Sequence, residues 1–137
     1  MGIEGRIRVG CAGVVHKNGG ILLGERNKDP NRGKLILPGG KIEYLESFRQ
    51  SLSREFLEEA DIELSFVRVI GAYEIINPPD EHRVIVYCMA NYASGTLRGG
   101  SDLANPRFYT KPELKALRAE GRLSDITSTV LTDICWL

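Results

Sequence analysis

A chain of 137 residues has room for one compact domain, and 42% hydrophobic with 26% charged residues excludes collagen-like, low-complexity and wholly disordered chains. Lysine plus arginine and aspartate plus glutamate number 18 each, so the formal charge is zero and no basic excess points to a nucleic-acid polymer as partner. No apolar run approaches the ~18 residues of a membrane span and no signal peptide is visible, so a soluble, cytoplasmic protein with no membrane partner is expected.

Ile3-Glu4-Gly5-Arg6 spells a protease-cleavage linker of the kind used in expression vectors. Residues 1–6 are therefore set apart, and residues 7–137 are taken as a single domain. Residues 7–16, rich in Val, Ile and small side chains, read as a strand. Lys17-Asn18-Gly19-Gly20 is a hairpin turn, with residues 21–24 as the returning strand. A polar loop over 26–34 leads to the short apolar stretch Leu35-Ile36-Leu37 and then to Pro38-Gly39-Gly40. Residues 46–60 have helical composition without Gly or Pro. Residues 63–76 and 83–91 read as strands, broken by Asn77-Pro78-Pro79-Asp80, and Ser94-Gly95 with Gly99-Gly100 mark a loop. Residues 107–109 form a short strand. Thr110-Lys111-Pro112-Glu113 starts a helix, with Thr110 as cap and Glu113 three residues on; 124–135 is a last helix. Strands and helices mixed along one chain favour an α/β sandwich. Cys11, Cys88 and Cys135 are too far apart for a CxxC pair and are read as buried, reduced thiols. His16 and His82 lack partners at ligand spacing and are read as structural.

Continuing the helical period of residues 46–60 back by one residue, Leu45, Phe48, Leu52 and Phe56 fall on one stripe at about 100° per residue. Glu55 and Glu59 project at the edge of that stripe, with Glu58 beside them. Carboxylates at a core edge repel one another and need compensation. Either the face is solvated and balanced by Arg49 and Arg54, or a divalent cation does the work, since carboxylate oxygens suit Mg²⁺ or Mn²⁺. The upstream loop favours the cation: Pro38-Gly39-Gly40 permits close backbone approach, a carbonyl near Gly39 can complete a metal shell, and Lys41 can meet phosphate.

These residues resemble the Nudix box. Its pattern is Gly, five residues, Glu, seven residues, then Arg-Glu-apolar-x-Glu-Glu-x-Gly-apolar. Here Gly40, Glu46 and Arg54-Glu55-Phe56-Leu57-Glu58-Glu59-Ala60-Asp61-Ile62 match it at six of seven fixed positions and at both apolar ones. The departure is Asp61 in place of Gly at the end of the helix; Asp tolerates the left-handed conformation better than most residues. Leu22 to Arg26, Gly33 to Gly40 and Arg107 to Leu114 extend the likeness over most of residues 8–134.

The resemblance implies a Nudix-type α/β/α sandwich with a mixed sheet between helices, and a hydrolase that cleaves nucleoside diphosphate derivatives by water attack on phosphorus. By position, Glu58, Glu59 and the Gly39 carbonyl would hold Mg²⁺, with Mn²⁺ as the alternative. Glu55 would be a further ligand or the general base, ahead of Glu59 and then a carboxylate near Asp102. Arg54 and Glu46 would brace the loop against the helix, Gly40 would shape the turn, and Arg26 and Lys41 would meet phosphate. Tyr87, Asp102, Asn105 and Phe108 are candidates for base or sugar contact. A short chain favours the small MutT-like branch, which acts on nucleoside triphosphates and releases a nucleoside monophosphate and pyrophosphate. ADP-ribose hydrolases often carry Pro fifteen residues past the box; Asn77 stands there with Pro78 next, which keeps ADP-ribose and nucleotide sugars as the alternative. A non-hydrolytic nucleotide sensor is a further reading. The expected partner is a small nucleotide, and a homodimer is left open.

Overall fold

The computed structural model describes residues 5–137. Most of the segment set apart at the N-terminus, residues 1–4, lies outside the described residues. Strand β1 (Arg8–Lys17) turns through Asn18 and Gly19 into β2 (Gly20–Arg26). Both turn residues have positive φ, 48° and 77°, which matches the right-handed twist of the flanking strands. Then follow β3 (Leu35–Ile36), β4 (Gly39–Lys41), α1 (Phe48–Ala60), β5 (Ile62–Asn77), β6 (Glu81–Gly95), β7 (Leu103–Thr110), α2 (Lys111–Ala119) and α3 (Asp125–Asp133).

Every major element expected from the sequence is present, with four corrections. Gly39-Gly40-Lys41 is a short strand and not a loop, because it pairs antiparallel with Gly10–Ala12 of β1. Helix α1 starts at Phe48, not at Glu46: Ser47 caps it through its side chain, and Gln50 reciprocates. Leu45 accordingly leaves the apolar stripe; it sits outside the helix at φ 66° and is 87% exposed. Finally, β6 and β7 run beyond the expected 83–91 and 107–109, because each is held by pairing along its length.

The sheet is mixed. β1 and β6 run parallel over nine consecutive pairs, from Arg8–Arg83 to His16–Asn91. β5 pairs antiparallel with β6, and β7 with β2. Along β1 the period-2 alternation sends Cys11 and Val15 to one face and Ala12 and Val14 to the other. Leu52 and Phe56 of α1 cover the first face; Leu114 of α2 and Val130 and Leu131 of α3 cover the second. Two cores on two sheet faces make the α/β/α sandwich. Cys11 and Cys88 are buried free thiols with sulfurs 4.0 Å apart, whereas Cys135 is exposed, contrary to expectation. His16 is half-buried against the Trp136 ring. Among the described residues no helix is long and apolar enough to cross a membrane.

One irregularity positions everything that follows. β1 and β2 stay paired only at His16–Ile21 and Lys17–Gly20. Beyond that they diverge, and β4 takes the vacated edge of β1 while β3 takes that of β2. The Gly13 amide, left without a β2 partner, donates to the Pro38 carbonyl at 2.9 Å. The divergence opens a cleft of about 600 Å³ between the two strands.

Candidate active site

Helix α1 presents its acidic residues at one end of this cleft. Its C-terminus is closed by Asp61 in the left-handed conformation, φ 58° and ψ 36°, so Asp fills the role that the resemblance assigns to Gly. The Arg98 guanidinium bonds the Asp61 carboxylate at 2.9 Å, and the Arg98 amide donates to the Ala60 carbonyl at 3.0 Å, satisfying an end-of-helix acceptor.

Arg54 ties the helix to the loop before it. Its Nε and Nη2 donate to the two Glu46 oxygens at 2.8 and 3.0 Å, and Nη2 also reaches the Lys41 carbonyl at 3.0 Å. This bidentate pair, helped by the Glu43 backbone amide, holds the Glu46 carboxyl down at about 2. The same guanidinium turns Nη1 toward Glu55 Oε1 at 3.0 Å and Glu58 Oε2 at 3.5 Å. Arg54 thus sits between the bracing carboxylate and the acidic cluster.

The three helical glutamates have different surroundings. Glu55 lines the cleft, partly buried against the backbone of Gly40. A Cβ on Gly40 would stand 2.3 Å from the Glu55 carboxyl carbon, so only glycine leaves room for that side chain. Burial pushes the Glu55 carboxyl above the usual range, against the lowering pull of Arg54. Glu59 also lines the cleft and is only 8% exposed. It accepts from the Ser101 hydroxyl at 3.2 Å and from the Asp102 amide at 2.9 Å. Gly100 makes this possible, since a Cβ there would meet Glu59 Oε2 at 2.5 Å. Glu58 is exposed and does not line the cleft. Among the described residues no three acidic, histidine or cysteine side chains already form a cage. The donor set nevertheless suits a hard divalent cation: carboxylate oxygens of neighbouring helical turns face strand backbone across a gap kept open by glycine.

The other expected residues divide. Gly39, Gly40, Arg26, Lys41 and Asp102 line the cleft. Arg26 donates through Nε to the carbonyls of Lys28 and Pro30 at 3.1 and 2.5 Å, which orients its guanidinium. Asp102 is paired with Lys28 at 3.1 Å. Tyr87 lines the cleft too, edge-on to Tyr73. Asn105 and Phe108 are not among its walls: the Asn105 amide donates to Glu25 at 2.7 Å, and Phe108 packs on Tyr92. Arg54 and Glu46 are not among the cleft walls and pair with each other at 2.8 Å. The sequence reading missed Arg8, Arg83 and Ile85 as walls and Ser101 as a support for Glu59. The signal for the support was Gly99-Gly100, read only as a loop. The signal for the walls was the alternation of β6, in which Arg83, Ile85 and Tyr87 share one face.

Comparison with known proteins agrees with this architecture. The family model for the NUDIX domain matches residues 5–129. A MutT NUDIX hydrolase from Burkholderia pseudomallei superposes with a TM-score of 0.83 at 27% identity, covering 94% of this chain and 98% of that one. A MutT protein from Methanosarcina mazei Go1 shares the fold with a TM-score of 0.79 at 20% identity, covering 96% of each chain. An ADP-ribose pyrophosphatase from Methanocaldococcus jannaschii is 27% identical over 110 residues, 80% of this chain and 65% of its own length. The chain therefore spans just under two thirds of that curated relative.

Proposed function

The chain belongs to the Nudix family, and from that premise we propose that it is a Mg²⁺-dependent pyrophosphohydrolase acting on nucleoside triphosphates or related nucleoside diphosphate derivatives. The observation that carries this reading is Glu55: a partly buried carboxylate, facing the cleft across Gly40, on the helix that also bears Glu58 and Glu59. Glu58, Glu59 and the Gly39 carbonyl would hold the cation. When bound, such a cation neutralises pyrophosphate, lowers the pKa of water and stabilises the leaving oxygen.

The chain's own groups do the rest. Glu55 has one oxygen engaged by Arg54 and the other uncommitted, so Glu55 Oε2 is positioned to take the proton from the attacking water. Of the rival bases, Glu59 accepts hydrogen bonds at both oxygens, and Asp102, paired with Lys28 through one oxygen, lies outside the α1 cluster. Arg26 and Lys41 orient the phosphates. Arg54 and Glu46 hold loop and helix in register and touch no substrate.

Release of pyrophosphate or phosphate across a nucleotide panel with Mg²⁺, with products identified by mass, tests the proposal. Turnover that falls at least ~100-fold in Glu59→Gln, with the fold retained, is the expected result. Folded wild-type protein that turns over no member of the panel overturns it. A second reading, ADP-ribose hydrolysis, is favoured by the likeness to the archaeal ADP-ribose pyrophosphatase. Its product in the same assay is AMP with ribose 5-phosphate.

A further inference from the structure

The cleft has a second pole, opposite in sign to the first. Arg8 and Arg83 are directly paired across the parallel β1–β6 ladder, and both line the cleft together with Arg26. Their neutralisation is incomplete. Arg83 Nη2 meets Glu81 at 3.1 Å, and that carboxylate, which also accepts from the Asn77 amide at 2.7 Å, is one paired charge against three guanidinium groups. Lys28 and Asp102 neutralise each other, and Asp29 is paired with Arg32. Among the described residues Arg8 and Arg26 make no ion pair with a carboxylate.

Arg83 Nε, moreover, is buried without any hydrogen-bond partner, and among the described residues no other buried side-chain nitrogen or oxygen is in that state. A buried guanidinium donor left unsatisfied is costly, and such a donor in a cleft wall is suited to an acceptor arriving from outside. The Arg26 guanidinium is held below its ordinary range, first by burial and then by the charge of Arg83, so the two cations share one space. Ile75, Ile85 and Ile126 make the adjoining wall apolar, which strengthens a charge-assisted hydrogen bond formed there.

We propose that Arg8, Arg26 and Arg83 form a phosphate subsite at the strand end of the cleft, which takes a phosphoryl group beyond the two joined by the cleaved bond. The inference rests on the hydrolase reading and narrows it. Substrates with three or more phosphorus centres, or with a phosphomonoester on the departing group, are favoured over ADP-ribose, whose sugar is uncharged. Arginine suits the role, because its planar fork meets phosphate oxygens two at a time.

The first experiment needs neither metal nor turnover. Inorganic tripolyphosphate is titrated into the protein in EDTA while the arginine Nε–Hε resonances are followed by NMR. The Arg83 resonance shifts, and binding weakens about tenfold or more in Arg83→Met and, on the exposed side, in Arg8→Met, while Arg118→Met, which removes an exposed guanidinium on α2 away from the cleft, binds as wild type. An Arg83 resonance that ignores tripolyphosphate, or that moves instead with guanosine alone, overturns the subsite. So does unaltered binding by a folded Arg8→Met or Arg83→Met. The second experiment is kinetic: Arg83→Met raises KM for a nucleoside triphosphate about tenfold or more with kcat little changed, and leaves KM for ADP-ribose as it was. An equal rise for both substrates overturns the subsite. If wild type turns over nothing, the hydrolase reading fails by itself, and the NMR titration still decides whether the anion site exists.

Discussion

Strand β1 has two flanks, and they serve different ends. Against β6 it keeps nine consecutive parallel pairs; against β2 it keeps two and then departs. The continuous flank carries the cores that α1, α2 and α3 cover. The open flank leaves strand backbone facing a cleft, where glycines admit side chains that a regular sheet would exclude. Stability and chemistry are thus drawn from opposite edges of one strand, and they should be separable by mutation.

The largest effect is expected on the packed side. Phe56 is fully buried, with its ring against Gly13 of β1. Phe56→Ala should cost about 3–5 kcal/mol in urea unfolding. Normal turnover per folded molecule would sharpen the contrast; a stability loss well under that range would break it. On the open side, Gly40→Ala should lower kcat/KM about 100-fold or more with little change in stability, because the added methyl collides with the movable Glu55 carboxylate. Its neighbour provides a control: a Cβ on Gly39 would meet the Cys11 carbonyl at 2.2 Å, a backbone collision that no side chain can relieve, so Gly39→Ala should lose stability as well. Arg54→Lys removes the planar fork shared among Glu46, Glu55 and the Lys41 carbonyl, and should reduce kcat/KM by about 10–100-fold in steady-state assays.

The smallest effect concerns acid. The folded Glu46 carboxyl lies near 2, below its ordinary 4.5. The stability it brings is fully present above about 4.5 and is lost as pH falls from there through 2. Glu46→Gln should therefore flatten the acid limb of stability in urea titrations at pH 6 and pH 3. An unchanged acid limb would show that the brace carries no proton linkage.

Much of this was readable before any coordinates. The α1 composition, the spacing of its glutamates and the Thr110–Glu113 cap are local signals, and they fold locally. Leu45 misled because helical periodicity continues back through it, while the Ser47–Gln50 capping box starts the helix only after Ser47, two residues further along the chain. β4 escaped because two glycines and a lysine have no strand propensity of their own; pairing with β1 makes them a strand. The roles of Arg8 and Arg83 depend on register between distant strands, and the hold on Glu59 depends on where residues 101 and 102 return.

That return has a bearing on how the molecule is made. The signature segment leaves the ribosome complete by residue 62, yet the hydroxyl and amide that secure Glu59 are some forty positions further on. A nascent chain carrying the entire motif therefore still lacks the hold on Glu59. Competence arrives late in synthesis, when the final strand is laid beside β2 and the loop before it closes over the helix end.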